Sequence, residues 1–377
     1  MVSKFETRTI KLQKHMKKQG LNSSFILRRI EIFFLSNTSQ NGVLHVPVDG
    51  EPCLFLRTGH SRATVESSFQ IEKIQGYADL KKLVPVPTRA GFEGNAPAAL
   101  FWRFQKLFPD TVFQDISPVL RSLRAIKTPD EITKIKEAGR LNDLGMAVAR
   151  EHLKPGISEL ELVAEIEYRM RKEGHQESIQ FAAFNSILAQ HVLSGPNGAL
   201  PSDGSTPLVG QGLSSNFPFG VSRRKIQQDE PVIVDIVSKY EGWLADQTRT
   251  IWHGKLSEKL YDAYLICQEI LEEVITKARA GIPAVELYNL AHGIAKEKGF
   301  ENEFMGYSSF LGHGLGLEID ELPVLVKKQD STLQEGMVMA IEPKIIFKSV
   351  GAVGIENTYV MENGKLEKLT GAPVQDQ

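Results

Sequence analysis

The chain has 377 residues, a formal net charge of -2 and a hydrophobic fraction of 42%, the balance of an ordinary globular protein. This charge gives no reason to expect nucleic acid or an anionic membrane as a partner, and no stretch approaches the roughly 20 apolar residues of a membrane-spanning helix. Cys53 and Cys267 are too few for a disulfide framework and favour a reducing compartment. Since no apolar run at the N-terminus could serve as a signal sequence, we expect a cytoplasmic protein of two or three domains.

Residues 1 to about 125 combine short strand-like runs with amphipathic helices. The runs are "SSFILRR", "GVLHVPV" and "PCLFLR", and "DGEP" between the last two predicts a hairpin turn at Asp49 to Pro52. We therefore expect a smaller α/β domain here, without obvious chemistry of its own.

A helix start marks the second domain, which we place at residues 126–377. Thr128 is a candidate N-cap, Pro129 the first helical residue and Glu131 the reciprocal partner of a capping box. Apolar residues then recur at helical spacing: Ile132, Ile135, Ala138 and Leu141.

Two segments of this second domain resemble each other. "GISELELVAEIEYRMRKEG" (156–174) and "GIPAVELYNLAHGIAKEKG" (281–299) both begin on a turn, continue as a helix and stop at a glycine. Any two helices with a glycine at each end look similar, so chance is the alternative to an internal duplication. If the duplication is real, we expect a site where the two halves meet.

Four acids interrupt runs that otherwise read as apolar strands. Asp235 lies in "VIVDIV", and Asp246 follows beyond a turn at Tyr240–Gly242, so an antiparallel hairpin could bring the two carboxylates together. Glu342 lies in "MVMAIEP", within the strand predicted over "EGMVMAIEPKIIF". Glu356 lies in "AVGIENTYV", and the strand there is predicted to turn over at Asn363–Gly364.

These acids predict a metal site when they are taken together with His313 in "FLGHGLGLEIDELP". A single acid in a strand is more often a satisfied edge residue than a ligand, but four carboxylates in strand interiors repel one another unless a cation lies among them. Oxygen ligands with a single imidazole suit Mn²⁺, Co²⁺, Fe²⁺ or Zn²⁺. Two such ions bridged by carboxylates would hold a hydroxide between them and polarise a carbonyl.

In order and spacing, "VIVDIVSKYEGWLADQTRT", "GHGLGLE", "MAIEP" and "GIENT" resemble the motifs of the pita-bread metallopeptidases, which include Xaa-Pro aminopeptidases, prolidases and methionine aminopeptidases. The resemblance implies an α+β fold: a pseudo-duplicated, curved antiparallel sheet covered by helices. The first domain resembles the creatinase-type N-terminal domain of the prolidase and Xaa-Pro aminopeptidase branch. This implies a cytoplasmic hydrolase of small peptides, and family members are often homodimers.

Carried over position by position, the resemblance implies five ligands for two divalent ions. They are Asp235, Asp246, His313, Glu342 and Glu356. In such enzymes the residue at Glu342 also handles the proton of the bridging water, which makes Glu342 the expected catalytic residue.

The sequence departs from the family at three positions where its peptidases usually carry histidines on the substrate side. Here these positions hold Pro218, Ser309 and Asp320. Such histidines hold the substrate carbonyl and the developing oxyanion. An aspartate could instead hold a substrate ammonium or an extra cation, so we expect Asp320 to contact the substrate.

His191 in "LAQHVLSGPNG" could compensate as a second substrate-binding residue. The alternative is a loop histidine that is hydrogen-bonded to the backbone. The segment "SGPNGALPSDGSTPLVGQGLSS" that follows predicts a loop that faces the substrate.

Three functions follow from these residues. The first is a dinuclear, metal-dependent hydrolase of the Xaa-Pro aminopeptidase and prolidase type, and the intact ligand set favours it. The second is a metal-binding family member with altered chemistry, such as another C–N hydrolase or a lyase, and the missing histidines favour it. The third is a binding protein that uses the fold without turnover.

Overall fold

The structure is a computed structural model that describes residues 3–181, 190–201, 206–306, 308–328 and 331–374. The chain divides into two compact units, Met1–Arg124 and Ala125–Gln377. None of the helices within the described ranges combines the length and the apolar character that crossing a bilayer requires.

The N-terminal unit is built on a six-stranded sheet of order β4-β3-β2-β1-β5-β6. Its strands are β1 (Ser23–Ile26), β2 (Gly42–Pro47), β3 (Cys53–Leu56), β4 (Gln70–Lys73), β5 (Arg89–Phe92) and β6 (Val112–Asp115). Its helices are α1 (Lys4–Gln19), α2 (Arg29–Ser36), α3 (His60–Glu66), α4 (Leu80–Leu83), α5 (Ala98–Leu107) and α6 (Ser117–Ala125), with a 3₁₀ turn at Tyr77–Asp79. The hairpin predicted at "DGEP" is confirmed, because β2 and β3 pair antiparallel around it.

Within the described ranges, the second unit combines four helices with antiparallel strands. The helices are α7 (Pro129–His152), α8 (Glu159–Lys172), α9 (Glu258–Lys277) and α10 (Ala284–Glu297), and a 3₁₀ helix covers Gly195–Ala199. The strands are β7 (His191–Ser194), β8 (Val232–Tyr240), β9 (Trp243–Ile251), β10 (Phe310–Leu315), β11 (Ile319–Val326), β12 (Val338–Ile341), β13 (Lys344–Phe347), β14 (Gly351–Gly354), β15 (Asn357–Glu362) and β16 (Lys365–Lys368). They form three sheets, β7-β8-β9, β11-β10-β12-β15-β16 and β13-β14.

The predicted helix start at Pro129 is confirmed, and helix α8 begins with the same kind of cap. Helix α7 begins at Pro129, and the Thr128 N–H donates to the Glu131 carboxylate at 3.0 Å. Helix α8 has the reciprocal pair of a capping box, since the Ser158 hydroxyl accepts from the Glu161 N–H and the Ser158 N–H donates to the Glu161 carboxylate.

The two similar segments have matching backbone geometry as well as matching sequence. Helices α8 and α10 each have 14 residues. The glycines before them have similar positive φ, 92° at Gly156 and 89° at Gly281, and both donate a backbone hydrogen bond to a residue that precedes a strand, Ile226 or Leu333. This common pattern favours an internal duplication over a chance likeness.

Each half packs a pair of helices on a sheet. Residues of α7 and α8, such as Leu141 and Ile166, share a buried apolar cluster with Val234 and Ile236 of β8. Helices α9 and α10 share a second cluster with the five-stranded sheet. The predicted α+β architecture of the second domain is confirmed.

One strand prediction was wrong. "EGMVMAIEPKIIF" is not one strand, because the chain leaves β12 at Ile341 and enters β13 in another sheet at Lys344. Pro343 in this break has no N–H to donate to a ladder. The segment predicted as a substrate-facing loop packs partly on the core, since Leu208 is buried in an apolar cluster with Leu193. Residues 202–205 of this segment lie outside the described ranges, and its contact with a substrate stays a prediction.

Candidate metal centre

Asp235 and Asp246 lie on the two strands of the β8–β9 hairpin. The turn consists of Glu241 and Gly242, with positive φ of 46° and 90°, which is the backbone of a tight hairpin connection. In the register, Asp246 is opposite Val237 and Asp235 is opposite Thr248. Side chains two residues apart point to the same face of a strand, so both carboxylates leave the hairpin on one face as diagonal neighbours.

Glu342 and Glu356 lie in breaks between strands, which corrects the prediction that they lie inside strands. Glu342 follows β12 and donates its N–H to Leu311 of β10 at 2.9 Å. Glu356 precedes β15 and donates its N–H to Thr248 of β9 at 3.1 Å. Since β12 and β15 are paired next to both glutamates, the two breaks face each other and bring these acids to the β8–β9 hairpin.

His313 lies on strand β10, between β11 and β12, and its side chain is buried. Its Nε2 is 3.6 Å from the nearer Glu342 oxygen and 3.8 Å from the nearer Asp246 oxygen. Its Nδ1 is 3.2 Å from the Gly314 carbonyl oxygen. An Nδ1–H that donates to a carbonyl leaves Nε2 as the free nitrogen, which is how proteins orient a ligating imidazole.

The four acids, which we name the acid cluster (Asp235, Asp246, Glu342 and Glu356), therefore meet His313. Asp246, His313 and Glu356 offer ligand atoms that all lie within 4.8 Å of one another. Asp246 Oδ1 is buried without a hydrogen-bond partner among the described residues. Burial, with the negative charges of Glu356, Asp235 and Glu342, raises the pKa of Asp246 well above its ordinary value. A divalent ion would supply the missing partner, so these residues fit a metal.

Comparison with known proteins agrees with this geometry. The family model "Metallopeptidase family M24" matches residues 133–363, and "Creatinase/Prolidase N-terminal domain" matches residues 8–126. The chain belongs to metallopeptidase family M24. The protein is therefore a metal-dependent peptidase of the prolidase-like type that the sequence motifs predicted, and the catalytic unit is the second one.

The matches between this M24 protein and its relatives cover nearly the whole chain. The Xaa-Pro dipeptidase of Pyrococcus furiosus is 30% identical over 362 residues, which is 96% of each chain. The prolidase structure from Pyrococcus horikoshii OT3 superposes with a TM-score of 0.86 at 26% identity and covers 98% of this chain and 99% of its own. The X-Pro aminopeptidase structure from Thermotoga maritima MSB8 has a TM-score of 0.81 at 26% identity, with coverage of 96% and 99%.

The sequence reasoning missed one residue of the M24 centre, Lys344. It is the first residue of β13, its side chain is only 1% exposed, and its Nζ is 3.3 Å from both Asp235 and Glu356. The same ammonium contacts Glu342. A lysine in the apolar run "IEPKIIF" was the available signal, since a buried lysine needs a charged partner.

Lys344 divides the acid cluster electrostatically. Burial acts to raise the pKa of Asp235, but the Lys344 ammonium and His191 outweigh it and hold this pKa below its usual range. Burial raises the pKa of Glu342 to about 7, although Lys344 opposes the shift. Lys344 thus compensates the charge on the Asp235 side of the cluster, whereas Asp246 forms no ion pair with a lysine or arginine among the described residues.

His191, predicted as a loop residue, lies on strand β7 directly opposite Asp235 in the pairing with β8. Its Nδ1 is 3.8 Å from Asp235 Oδ2, and the side chain is largely buried. The alternative of a backbone-bonded loop histidine is wrong, because His191 borders the acid cluster from a strand. Its role in substrate binding stays a prediction.

The three substrate-side positions differ in their surroundings. Asp320 lies in β11 with a positive φ of 65°, and its carboxylate is 47% exposed and 3.8 Å from His313 Nδ1. Pro218 and Ser309 are exposed residues outside the strands. Of these three, Asp320 is the residue that directly neighbours a candidate metal ligand.

Proposed function

We propose that this M24 peptidase hydrolyses peptide bonds in small Xaa-Pro peptides with a divalent ion bound by Asp246, His313 and Glu356. The convergence of these three ligands beside the unpartnered Asp246 Oδ1 carries the proposal. Relatives named Xaa-Pro dipeptidase, prolidase and X-Pro aminopeptidase supply the substrate class. No observation favours the altered C–N chemistry or the binding role that the missing histidines left open.

Each part of the reaction has a residue in the described structure. A bound divalent ion would polarise the scissile carbonyl and lower the pKa of a water molecule. Glu342 is within 3.6 Å of His313 and contacts Lys344, so its carboxylate is held beside the candidate ligands, where we propose that it takes the proton of the attacking water. Asp320, half-exposed beside His313, would contact the substrate ammonium. His191 supports the centre by bordering Asp235.

The finer features predicted from the resemblance stay proposals. They are Mn²⁺, Co²⁺, Zn²⁺ or Fe²⁺ as the ion, a pair of ions on five ligands, a homodimer and a cytoplasmic location. Two free cysteines, of which Cys267 is buried, support a reducing compartment.

The test is proline release from a panel of Xaa-Pro dipeptides and longer Xaa-Pro peptides after reconstitution with Mn²⁺ or Co²⁺. We expect cleavage that a chelator abolishes, and matched dipeptides without proline serve as controls. Cleavage of dipeptides alone would assign the protein as a dipeptidase, and removal of the first residue from longer peptides would assign an aminopeptidase. Tight metal binding without cleavage of any peptide would contradict the proposal and leave altered chemistry.

A further inference from the structure

The Lys344 ammonium lies at the centre of three acids. Its Nζ is within 3.3 Å of Asp235 and Glu356 and contacts Glu342, and no other ionic partner of it is found within the described part of the chain. These three acids are three of the five ligands that the family resemblance implies. Because an ammonium has three N–H donors, the carboxylates use all of them.

The fold holds the lysine in this position. Residue 344 is paired with Gly354 across β13 and β14, and a Cβ at position 354 would lie 2.5 Å from Lys344 Cγ. Glycine therefore leaves the space that the aliphatic part of the lysine fills. The Lys344 carbonyl also accepts from the Met305 N–H at 2.8 Å. The lysine is thus built into the core and does not reach the acid cluster from the surface.

A divalent ion shared by Asp235, Glu342 and Glu356 would compete with this ammonium for the same oxygens. Carboxylate oxygens bind such an ion at about 2.0 to 2.2 Å, so the ion would lie next to Nζ and like charges would repel at short range. The residues on the Asp235 side do not fit a second ion while Lys344 is in place.

The Asp246 side differs. Lys344 forms no ion pair with Asp246 in the described structure, Asp246 Oδ1 is buried without a partner, and Asp246, His313 and Glu356 converge within 4.8 Å. The Lys344 ammonium therefore occupies one cation position of the acid cluster, and a second position, beside Asp246 and His313, is left for a metal ion.

We propose that Lys344 replaces one of the two metal ions expected for the M24 fold, so that the centre binds a single divalent ion on its Asp246 side. The proposal rests on the proposed function, since it requires that the centre binds a metal. It revises the number of ions and makes Lys344 a positioning residue for Glu342 and Asp235.

The test counts Mn²⁺ bound to the full chain after chelation and reconstitution, by equilibrium dialysis with elemental analysis. We expect one equivalent for the wild type and for Lys344→Arg, which keeps the positive charge. We expect two equivalents for Lys344→Met, which has a similar length without the charge. Two equivalents in the wild type, or one in Lys344→Met, would overturn the proposal.

A second measurement does not depend on the variant folding. Crystals of the wild type soaked in Mn²⁺ should give one anomalous diffraction peak, between Asp246 and His313. The electron paramagnetic resonance spectrum of the Mn²⁺-loaded wild type should be that of an isolated ion. Two peaks or a coupled pair of ions, with proline release intact, would overturn this inference alone. A folded wild type that binds no Mn²⁺ and releases no proline would overturn the proposed function too.

Discussion

Two regions of the catalytic unit bury carboxylates in opposite ways. Glu159, fully buried at the start of α8, accepts hydrogen bonds of 2.7 to 2.8 Å from the N–H and hydroxyl of Ser194 and of Ser222 and from the Asn197 amide. We name this the Glu159 network. The acid cluster, in contrast, gathers four carboxylates around His313 and Lys344, and Asp246 Oδ1 has no hydrogen-bond partner in the part of the chain that the structure describes.

The number of hydrogen-bond donors around each carboxylate distinguishes a buried charge that stabilises the fold from one that can bind a ligand. A carboxylate whose two oxygens are both saturated by donors stabilises the fold and has no capacity left for a ligand. Carboxylates that face one another repel and lower the stability of the fold, and a bound cation relieves this repulsion. Such a cluster therefore favours cation binding at a cost in folding stability. Burial by itself does not distinguish the two cases, but the partners do.

The largest effect is expected at Asp246. We expect Asp246→Ala to lower Mn²⁺ affinity at least about 100-fold and to reduce proline release to background, because it removes a candidate ligand. The unfolding free energy of the chelated protein should change little, because the unpartnered oxygen is removed as well. Elemental analysis and urea denaturation in chelator measure the two quantities. A full metal complement in this variant would show that the ligand assignment is wrong.

Glu159 should respond in the opposite way. We expect Glu159→Gln to lower the unfolding free energy of the catalytic unit by roughly 3 kcal/mol, because the new NH₂ must face N–H or O–H donors that the carboxylate accepted. The variant that remains folded should keep its Mn²⁺ affinity, since Glu159 is not part of the acid cluster. Urea denaturation with and without Mn²⁺ tests both statements. A loss of Mn²⁺ affinity without a loss of stability would contradict the structural role of Glu159.

Asp320 tests an acid that is exposed beside the centre. We expect Asp320→Asn to lower kcat/KM for dipeptides about tenfold, or about 1.4 kcal/mol, because the contact with the substrate ammonium is lost, and to leave the Mn²⁺ content unchanged, because Asp320 is not one of the proposed ligands. Steady-state kinetics on peptides with free and acetylated N-termini measure this contact. An equal loss on both substrates would rule out the ammonium contact.

The smallest effect is expected at Glu93 in the N-terminal unit, the matched control for Glu159. Only one of its oxygens is engaged, by the N–H groups of Leu27 and Arg28, and the other is buried without a hydrogen-bond partner among the described residues. A glutamine can keep these contacts and place its NH₂ at the unpartnered position. We expect Glu93→Gln to change the unfolding free energy by less than about 1 kcal/mol near neutral pH.

The pH dependence at Glu93 has a defined sign. Burial raises the pKa of Glu93, although the two backbone N–H groups oppose this. A raised folded pKa means that protonation favours the folded state, so the stabilisation is present below the unfolded pKa and is lost as the pH rises through the folded pKa. Wild type should therefore lose stability relative to Glu93→Gln as the pH rises from the unfolded pKa of a glutamate, about 4.3, through the higher folded pKa. A constant difference across this range would contradict the assignment.

Local patterns predicted much of the fold. The cap at Thr128 and the turns at Tyr240–Gly242 and Asn363–Gly364 follow from residues close together in the chain, and all are present in the structure. The break at Pro343 has a local signal as well, a proline without an N–H, although the apolar run around it predicts a continuous strand.

The site could be predicted only in part. The acids and His313 were recognisable because each interrupts an apolar run or a motif. The position of His191 opposite Asp235 depends on the pairing of β7 with β8, strands far apart in sequence, and no local pattern reports this register.

The sequence by itself determined which residues carry the charge and the imidazole, because a polar side chain in an apolar strand is visible without a structure. The tertiary structure alone decided how these charges are compensated. Lys344 meets Asp235, more than a hundred residues earlier, only because β13 pairs with β14 beside the β8–β9 hairpin. Coulomb interactions depend on distance in space, and the distance in space between strands of different sheets is set by packing and not by sequence order.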